Sequence, residues 1–278
     1  MNRLSHALLR NLPQHGLAER AHAALIKETL GDQLIGHISR DGTAIESREK
    51  LVKKVDAKEA SAERVAQEVL APADITPAPM EVKVAAKCKL GRPRKDGSHE
   101  VRKTAPGKLE QQCGLPLEQL LESLPRQCDT GTKSNAQGYK LHIDMADCGI
   151  PVSALLTSAS MHDSLAAIPL SLMTAERVTN CYDLMDAAYC STVLRQHSKD
   201  LGHVPLIDHN PRRDEKIEFS PSEAERYKER SQAERTNSRL KDNFGGRHIR
   251  VRGHEKVMSH LMFGILALTA DQLLRLLT

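Results

Sequence analysis

An α/β fold, a mixed sheet flanked by helices, is predicted for this chain. Three observations predict it. Short runs with β-type alternation stand beside longer runs with helical periodicity. Their order is three strands, then helix–strand–helix–strand–helix, which suits a sheet with helices on its faces. Aromatic residues are 3% of the 278 residues and Trp is absent, so Leu, Ile, Val, Met and Ala must supply the core.

Residues 1–32 read as a short helical N-terminal region. QLIGHISRD (33–41) reads as a strand that ends in an acid, Asp41. From 50 to 132 the composition turns to Ala, Lys, Glu and Pro with no sustained period, the mark of a flexible insertion. LPLEQLLESL (115–124) is the one helix expected inside it. GYKLHIDMAD (138–147) and PVSALLTSAS (151–160) alternate around the turn-like CGI and predict an antiparallel hairpin. HDSLAAIPLSLM reads as a helix, VTNCYDLMD (178–186) as a buried strand ending in Asp186, YCSTVLRQHSKDL as a helix and HVPLIDHN (203–210) as a strand.

A long helix should follow. Ser220-Pro221-Ser222-Glu223 offers an N-cap serine, a proline at N1 and a glutamate at N3. Gly245-Gly246 offers the stop. About 23 residues at 1.5 Å each make a rod of roughly 34 Å. Ala233, Leu240 and Phe244 form its apolar stripe. A final apolar helix, about 254 to 277, completes a helical C-terminal end.

The bulk numbers exclude little. Lys and Arg number 40 against 36 Asp and Glu, too small an excess to name a partner. Six cysteines form no CxxC pair and no zinc spacing, which suggests reduced thiols and a cytoplasmic location. The N-terminus lacks a signal-peptide core, and the most apolar run, LMFGILALTA, is short of the roughly 20 residues a membrane span needs, so no membrane is expected.

The chemistry concentrates in YKERSQAERTNSRLK, 227–241. At about 100° per residue, Tyr227, Arg230, Glu234 and Lys241 share an arc of about 60° on one edge of the rod. Asp41 and Asp186, at strand ends, add two further acids. Carboxylates of this kind are the parts of a two-metal phosphoryl-transfer site, in which hard ions grip the attacking and leaving oxygens. Plainer readings stand beside these. Arg230 and Glu234 also make an i,i+4 ion pair. Asp41 precedes Gly42 as a turn acid would, and Asp183 competes with Asp186. Asp144 and Asp147 flank the hairpin turn as surface acids. Asp163 reads as a helix N-cap and Tyr189 as core packing.

The segment 227–241 fits the signature Y-x2-R-x3-E-x6-K, and the chain resembles the DDE insertion-sequence transposases. SRDGTAIESREK resembles their first-Asp segment and MDAAYCS their second. KLHIDMADCGIPVSALLTSASMHDS looks like the hairpin and helix between them. GGRHIRVRGHEKVMSHLMFGILALTADQLLRL is similar to their C-terminal end. The resemblance covers 33–49 and 133–278. It implies an RNase H-like catalytic domain and cleavage and joining of DNA at insertion-sequence ends, with two Mg²⁺ or Mn²⁺ ions. It implies Asp41, Asp186 and Glu234 as metal ligands, and Tyr227, Arg230 and Lys241 as contacts to DNA phosphates. Arg247, Arg250 and Arg252, in the connector after the rod, extend a basic track for double-stranded DNA, transposon ends and target alike. A homo-oligomer on DNA is implied as well. KLGRPRKDG (89–97) resembles an AT-hook core, or is simply a basic linker.

Two departures from the family pattern stand out. Relatives carry a larger helical region before the first Asp, whereas 40 residues precede Asp41, which suggests truncation. Cys190 stands where relatives often have Asp. The alternative function is therefore an inactive DNA-binding remnant or an inhibitor of an intact transposase.

Overall fold

The computed structural model describes residues 16–49, 106–131, 137–210 and 217–277. The chain divides into two units, Met1–Val52 with Pro106–Thr278, and Lys53–Ala105. All the elements below belong to the first. The Gly91-Arg92-Pro93 segment and the expected insertion up to residue 105 lie outside the described residues.

The sheet holds β1 (Leu34–Glu46), β2 (Asp129–Thr130), β3 (Gln137–Ala146), β4 (Pro151–Ser158), β5 (Thr179–Met185) and β6 (Val204–Ile207). Its order is β2-β3-β1-β5-β6, with β4 also paired to β3. β3 runs antiparallel to β1 and β4, while β5 is parallel to β1 and β6 parallel to β5. The mixed sheet flanked by helices is thus the predicted α/β architecture, and the hairpin β3–β4 turns at the expected place.

β1 departs from its expected end. It runs five residues past Asp41 to Glu46, with Asp41 opposite Ile143, Gly42 opposite His142 and Thr43 opposite Leu141. Asp41 is therefore a strand residue, not a turn acid. Thr43 and Ile45 are good strand formers that find partners on β3, so the Asp-Gly pair is carried through the ladder. The parallel partner stops earlier, at Arg40 opposite Met185. Asp41 thus lies where β1 loses its neighbour on one side.

The helices are α1 (Leu17–Leu30), α2 (Lys108–Gln112), α3 (Leu117–Ser123), α4 (Ser164–Ala175), α5 (Thr192–Asp200), α6 (Pro221–Tyr227), α7 (Ser231–Asn243) and α8 (His254–Leu277). α3 falls within the helix expected at 115–124. Its Leu120 is fully buried in a cluster with Ile168 and Tyr189. Residues 106–131, expected as part of the insertion, therefore pack into the sheet domain.

One sheet face is covered by α7 and α8. Leu141, Ile143 and Met145 of β3 meet Ala233 and Leu240 of α7 and Leu261 and Ile265 of α8. A wholly buried leucine or isoleucine side chain contributes about 1.5–3 kcal/mol relative to exposure, so this layer fixes α7 firmly on the sheet. α8 is long and apolar enough to cross a membrane by length and composition. Its residues Val257, Leu261, Ile265 and Leu268 are nevertheless buried in this same core, and α1 packs along it.

The other face, under α4, carries a buried polar network. Arg40 is 3% exposed and Asp144 fully buried. The guanidinium donates through Nε and one terminal nitrogen to the two Asp144 oxygens, each at 2.7 Å. Thr174 of α4 donates to the same carboxylate at 2.7 Å. Asp144 is thus not the surface acid expected beside a hairpin turn. Its place in β3, opposite Arg40, puts it inside. Asp147 keeps the surface role and accepts the Gly36 N–H at 2.8 Å. Breaking a buried charge pair by removing one partner costs about 3–5 kcal/mol, because the other is left uncompensated.

Candidate active site

Strand register brings Asp41 and Asp186 together. Arg40 and Met185, 145 residues apart in sequence, are opposed across the parallel pair, and the next residue on each strand is an Asp. Both line one cleft of about 350 Å³, together with Gly42, Lys140, Ser160, His162, Asp163 and Tyr189. Asp186 leaves β5 as the cap of a one-turn 3₁₀ helix, accepting the Ala188 N–H at 2.9 Å.

Asp183 is not in this group. It faces the opposite way along β5, is 3% exposed, and meets His203 Nδ1 at 3.2 Å and Asn180 Nδ2 at 3.1 Å. Burial pushes its carboxyl up, but the His203 contact and the Arg40 charge outweigh that and hold it below the usual range. It belongs to the buried network around Arg40.

The rod is built as expected at its start and end. The Ser220 N–H and hydroxyl both reach Glu223 Oε2, at 2.9 and 2.7 Å. Gly245 takes a positive φ of 81°, a conformation that glycine adopts without strain, and closes the helix. Between α6 and α7 the coil tightens to a 3₁₀ turn at Lys228–Arg230. The rod is therefore not one uninterrupted α-helix.

That rod turns Tyr227, Arg230, Asn237 and Lys241 toward the acids. The Tyr227 hydroxyl donates to the Met185 carbonyl at 3.2 Å, next to Asp186, and burial raises the phenol to about 12. Arg230 lies 5.9 Å from the Tyr227 ring centroid and pairs with Glu234. Lys241 is half-buried, which lowers its ammonium below the usual value despite the pull of Asp41. Asn237 Nδ2 donates to Asp41 Oδ2 at 2.8 Å.

Asp41 carries the electrostatic tension of the site. Burial pushes its carboxyl up to about 6. The Asn237 bond and Arg230 pull it down, and neighbouring Asp186 pushes it up again. A desolvated carboxylate beside a second one is a group that a cation would relieve. Glu234 stands apart. Its side chain is 56% exposed and bonded to Arg230, and it does not line the cleft. Among the described residues no three Asp, Glu, His or Cys side chains stand close enough to hold one ion.

Asp163 sits at the start of α4 without capping it. Its Oδ1 instead meets Lys140 Nζ at 3.1 Å and lies 3.7 Å from His142 Nδ1. Gly42 makes room for it: a Cβ there would stand 2.8 Å from Asp163 Oδ1. Tyr189 is 1% exposed and packs in the core, as expected. Cys190 packs half-buried against the same cluster. The five described cysteines are free.

The connector after the rod leaves Arg250 and Arg252 exposed, whereas Arg247 is held by Asp242 at 2.5–3.0 Å. Sequence reasoning missed Asn237 and Lys140, and read Asp163, which lines the cleft, as a helix N-cap. For Asn237 a signal existed, since it lies three residues after Glu234 and four before Lys241, in the same helical row.

No curated protein matches the chain. The family model described as a transposase DDE domain matches residues 122–270, more than half of the chain and inclusive of Asp186 and Glu234. With the six-stranded α/β sheet and the paired aspartates already in place, the match makes this chain a member of the DDE transposase family.

Proposed function

We propose that this protein cleaves and joins DNA strands at the ends of an insertion sequence, in a reaction that depends on divalent metal. Its family implies a phosphoryl-transfer enzyme acting on DNA. The observation that carries the finer reading is the pairing of Asp41 with Asp186 in one cleft, beside a rod bearing Tyr227, Arg230 and Lys241.

The donor set fits Mg²⁺ or Mn²⁺. Both favour hard carboxylate oxygens, and Asp41 is a half-buried carboxylate raised by its partial burial and by Asp186. Asp41 and Asp186 would hold the metal, joined by Glu234 once it leaves Arg230. When bound there, a divalent metal would supply Lewis-acid stabilisation for phosphoryl transfer. Arg230 and Lys241 bring cations to the scissile phosphate. Tyr227, tied to the end of β5, fixes the rod against Asp186. Arg250 and Arg252 run the duplex backbone past the site. The same reading places the reaction in the cytoplasm.

The deciding assay is cleavage of labelled end duplex by the purified chain with Mg²⁺ or Mn²⁺, against Asp186→Asn as control. Metal-dependent nicking lost in the control is the expected result. DNA binding with no nicking in either metal would favour the remnant or inhibitor, the reading supported by the outward turn of Glu234.

A further inference from the structure

We infer that Asn237 is a positioning residue for Asp41, setting the plane of its carboxylate for metal binding. The inference rests on the proposed active site. Asn237 is 5% exposed, on the inner side of α7. Its Nδ2 donates to Asp41 Oδ2 at 2.8 Å, between residues 196 apart in sequence. Its Oδ1 is buried with no hydrogen-bond partner among the described residues. The bond to Asp41 is therefore what orients the amide.

The geometry explains what the bond does. An aspartate on a strand can rotate its carboxylate freely about the last torsion. Accepting an N–H on Oδ2 removes that freedom and commits one oxygen, with the Gly42 backbone as a second hydrogen-bond influence on the same carboxylate. A neutral donor suits the task. It lowers the carboxyl without cancelling the negative charge, whereas a lysine in its place would compete with a cation. Partners that orient a ligand in this way typically govern metal affinity by 10–100-fold. The placement is also rigid, because α7 is clamped to the sheet through Ala233 and Leu240, both essentially buried. Asn237 thus reaches Asp41 from the same face that carries Glu234 and Lys241, and one helix serves both the metal and the phosphates.

The test is Mn²⁺ binding by titration calorimetry, without DNA, for the full chain and the variants Asp41→Ala, Asn237→Ala and Asn237→Leu. The leucine is close to asparagine in size and lacks the N–H. Melting curves in EDTA confirm folding. The expected result is Mn²⁺ binding by the parent, loss in Asp41→Ala, and affinity lower by about 10–100-fold in the folded Asn237 variants, with end-DNA affinity in EDTA unchanged. Asn237 variants that bind Mn²⁺ like the parent, while Asp41→Ala does not, overturn this inference alone. Asp41→Ala binding like the parent overturns the active-site reading and the inference with it. Failure of both Asn237 variants to fold would make the residue a core element and also overturn the proposal.

Discussion

Replacing Asp41 by Asn should stabilise the metal-free protein at neutral pH. The substitution keeps size and shape, and the new amide oxygen can still accept from Asn237, which now reaches Asp41 Oδ2 at 2.8 Å. What it removes is the charge. The folded-state carboxyl is raised from 3.8 to about 6, first by burial and then by Asp186. The folded protein therefore binds this proton more tightly than the unfolded chain does. The contribution to stability is most favourable below pH 4, is lost as pH rises from about 4 to 6, and stays lost above that. Two pH units at 1.36 kcal/mol each give a ceiling of roughly 3 kcal/mol. Asp41 is only partly buried, and solvent screening brings the expected gain down to about 1–2 kcal/mol.

A domain of this size shifts its Tm by roughly 2–4 °C per kcal/mol. Melting in EDTA should therefore show Asp41→Asn above the parent by about 2–8 °C at pH 7–8, with the two curves converging near pH 4. The difference between the curves isolates Asp41, because the other titrating groups are common to both. Added Mn²⁺ should reverse the order, since only the parent keeps the charge that binds it. An Asn variant less stable than the parent at pH 8 in EDTA, or a difference independent of pH, would refute the claim that Asp41 is strained by burial and by its neighbour.

Three further outcomes follow from the same structure. Asp144→Ala leaves Arg40 buried without its bidentate partner and should cost about 3–5 kcal/mol, read as a fall in urea midpoint at constant m; a loss below 1 kcal/mol would show the pair to be hydrated. Glu234→Gln should abolish metal-dependent nicking yet cost only a few tenths of a kcal/mol, since its pair with Arg230 is exposed; full cleavage by the variant would remove Glu234 from the site. Arg250→Ala with Arg252→Ala should lower the slope of log K against log salt for duplex DNA by about 2, and an unchanged slope would take the connector off the DNA.

Most of the fold was legible because its signals are local. The hairpin β3–β4 is announced by alternation on both sides of a turn, and α6 by its Ser-Pro-Ser-Glu start, whose Ser220 and Glu223 do bond. What was not legible depends on partners remote in sequence. Asp144 looks like a turn acid until Arg40, 104 residues earlier, is laid opposite it. β1 looks finished at Asp41 because Asp-Gly is a turn signal, and only the ladder to β3 carries it on to Glu46. Residues 106–131 show one helix of their own at 115–124 and otherwise gain order from the surfaces they cover, as Leu109 does against the cluster of Ile168 and Tyr189. In the site, Asp41 and Asp186 were readable as strand acids, but their adjacency is a fact of register. Asn237 shares the helical row of Glu234 and Lys241, but an asparagine in a polar helix carries no charge to draw notice to that position.

The two readings of Glu234, ion-pair partner and metal ligand, are compatible on energetic grounds. The pair with Arg230 is present, and it joins residues in the less favourable order, with the base before the acid. Exposed pairs of this kind are worth about 0.2–1 kcal/mol. Turning Glu234 away from Arg230 therefore costs less than a single hydrogen bond to a charged group contributes, about 1.5–3 kcal/mol. Arg230 also has other uses for its charge. Its side chain is 19% exposed, it lowers the Asp41 carboxyl, and its guanidinium suits a phosphate as well as a carboxylate. A DNA phosphate at Arg230 would take the place of Glu234 as its partner, so the contact that occupies the third acid is one the substrate itself competes for. The 3₁₀ turn at Lys228–Arg230 places Arg230 at the junction of two helical segments, while the buried Ala233 and Leu240 hold the backbone carrying Glu234 in place. A weak pair on a fixed helix requires only a side-chain rotation to change partners.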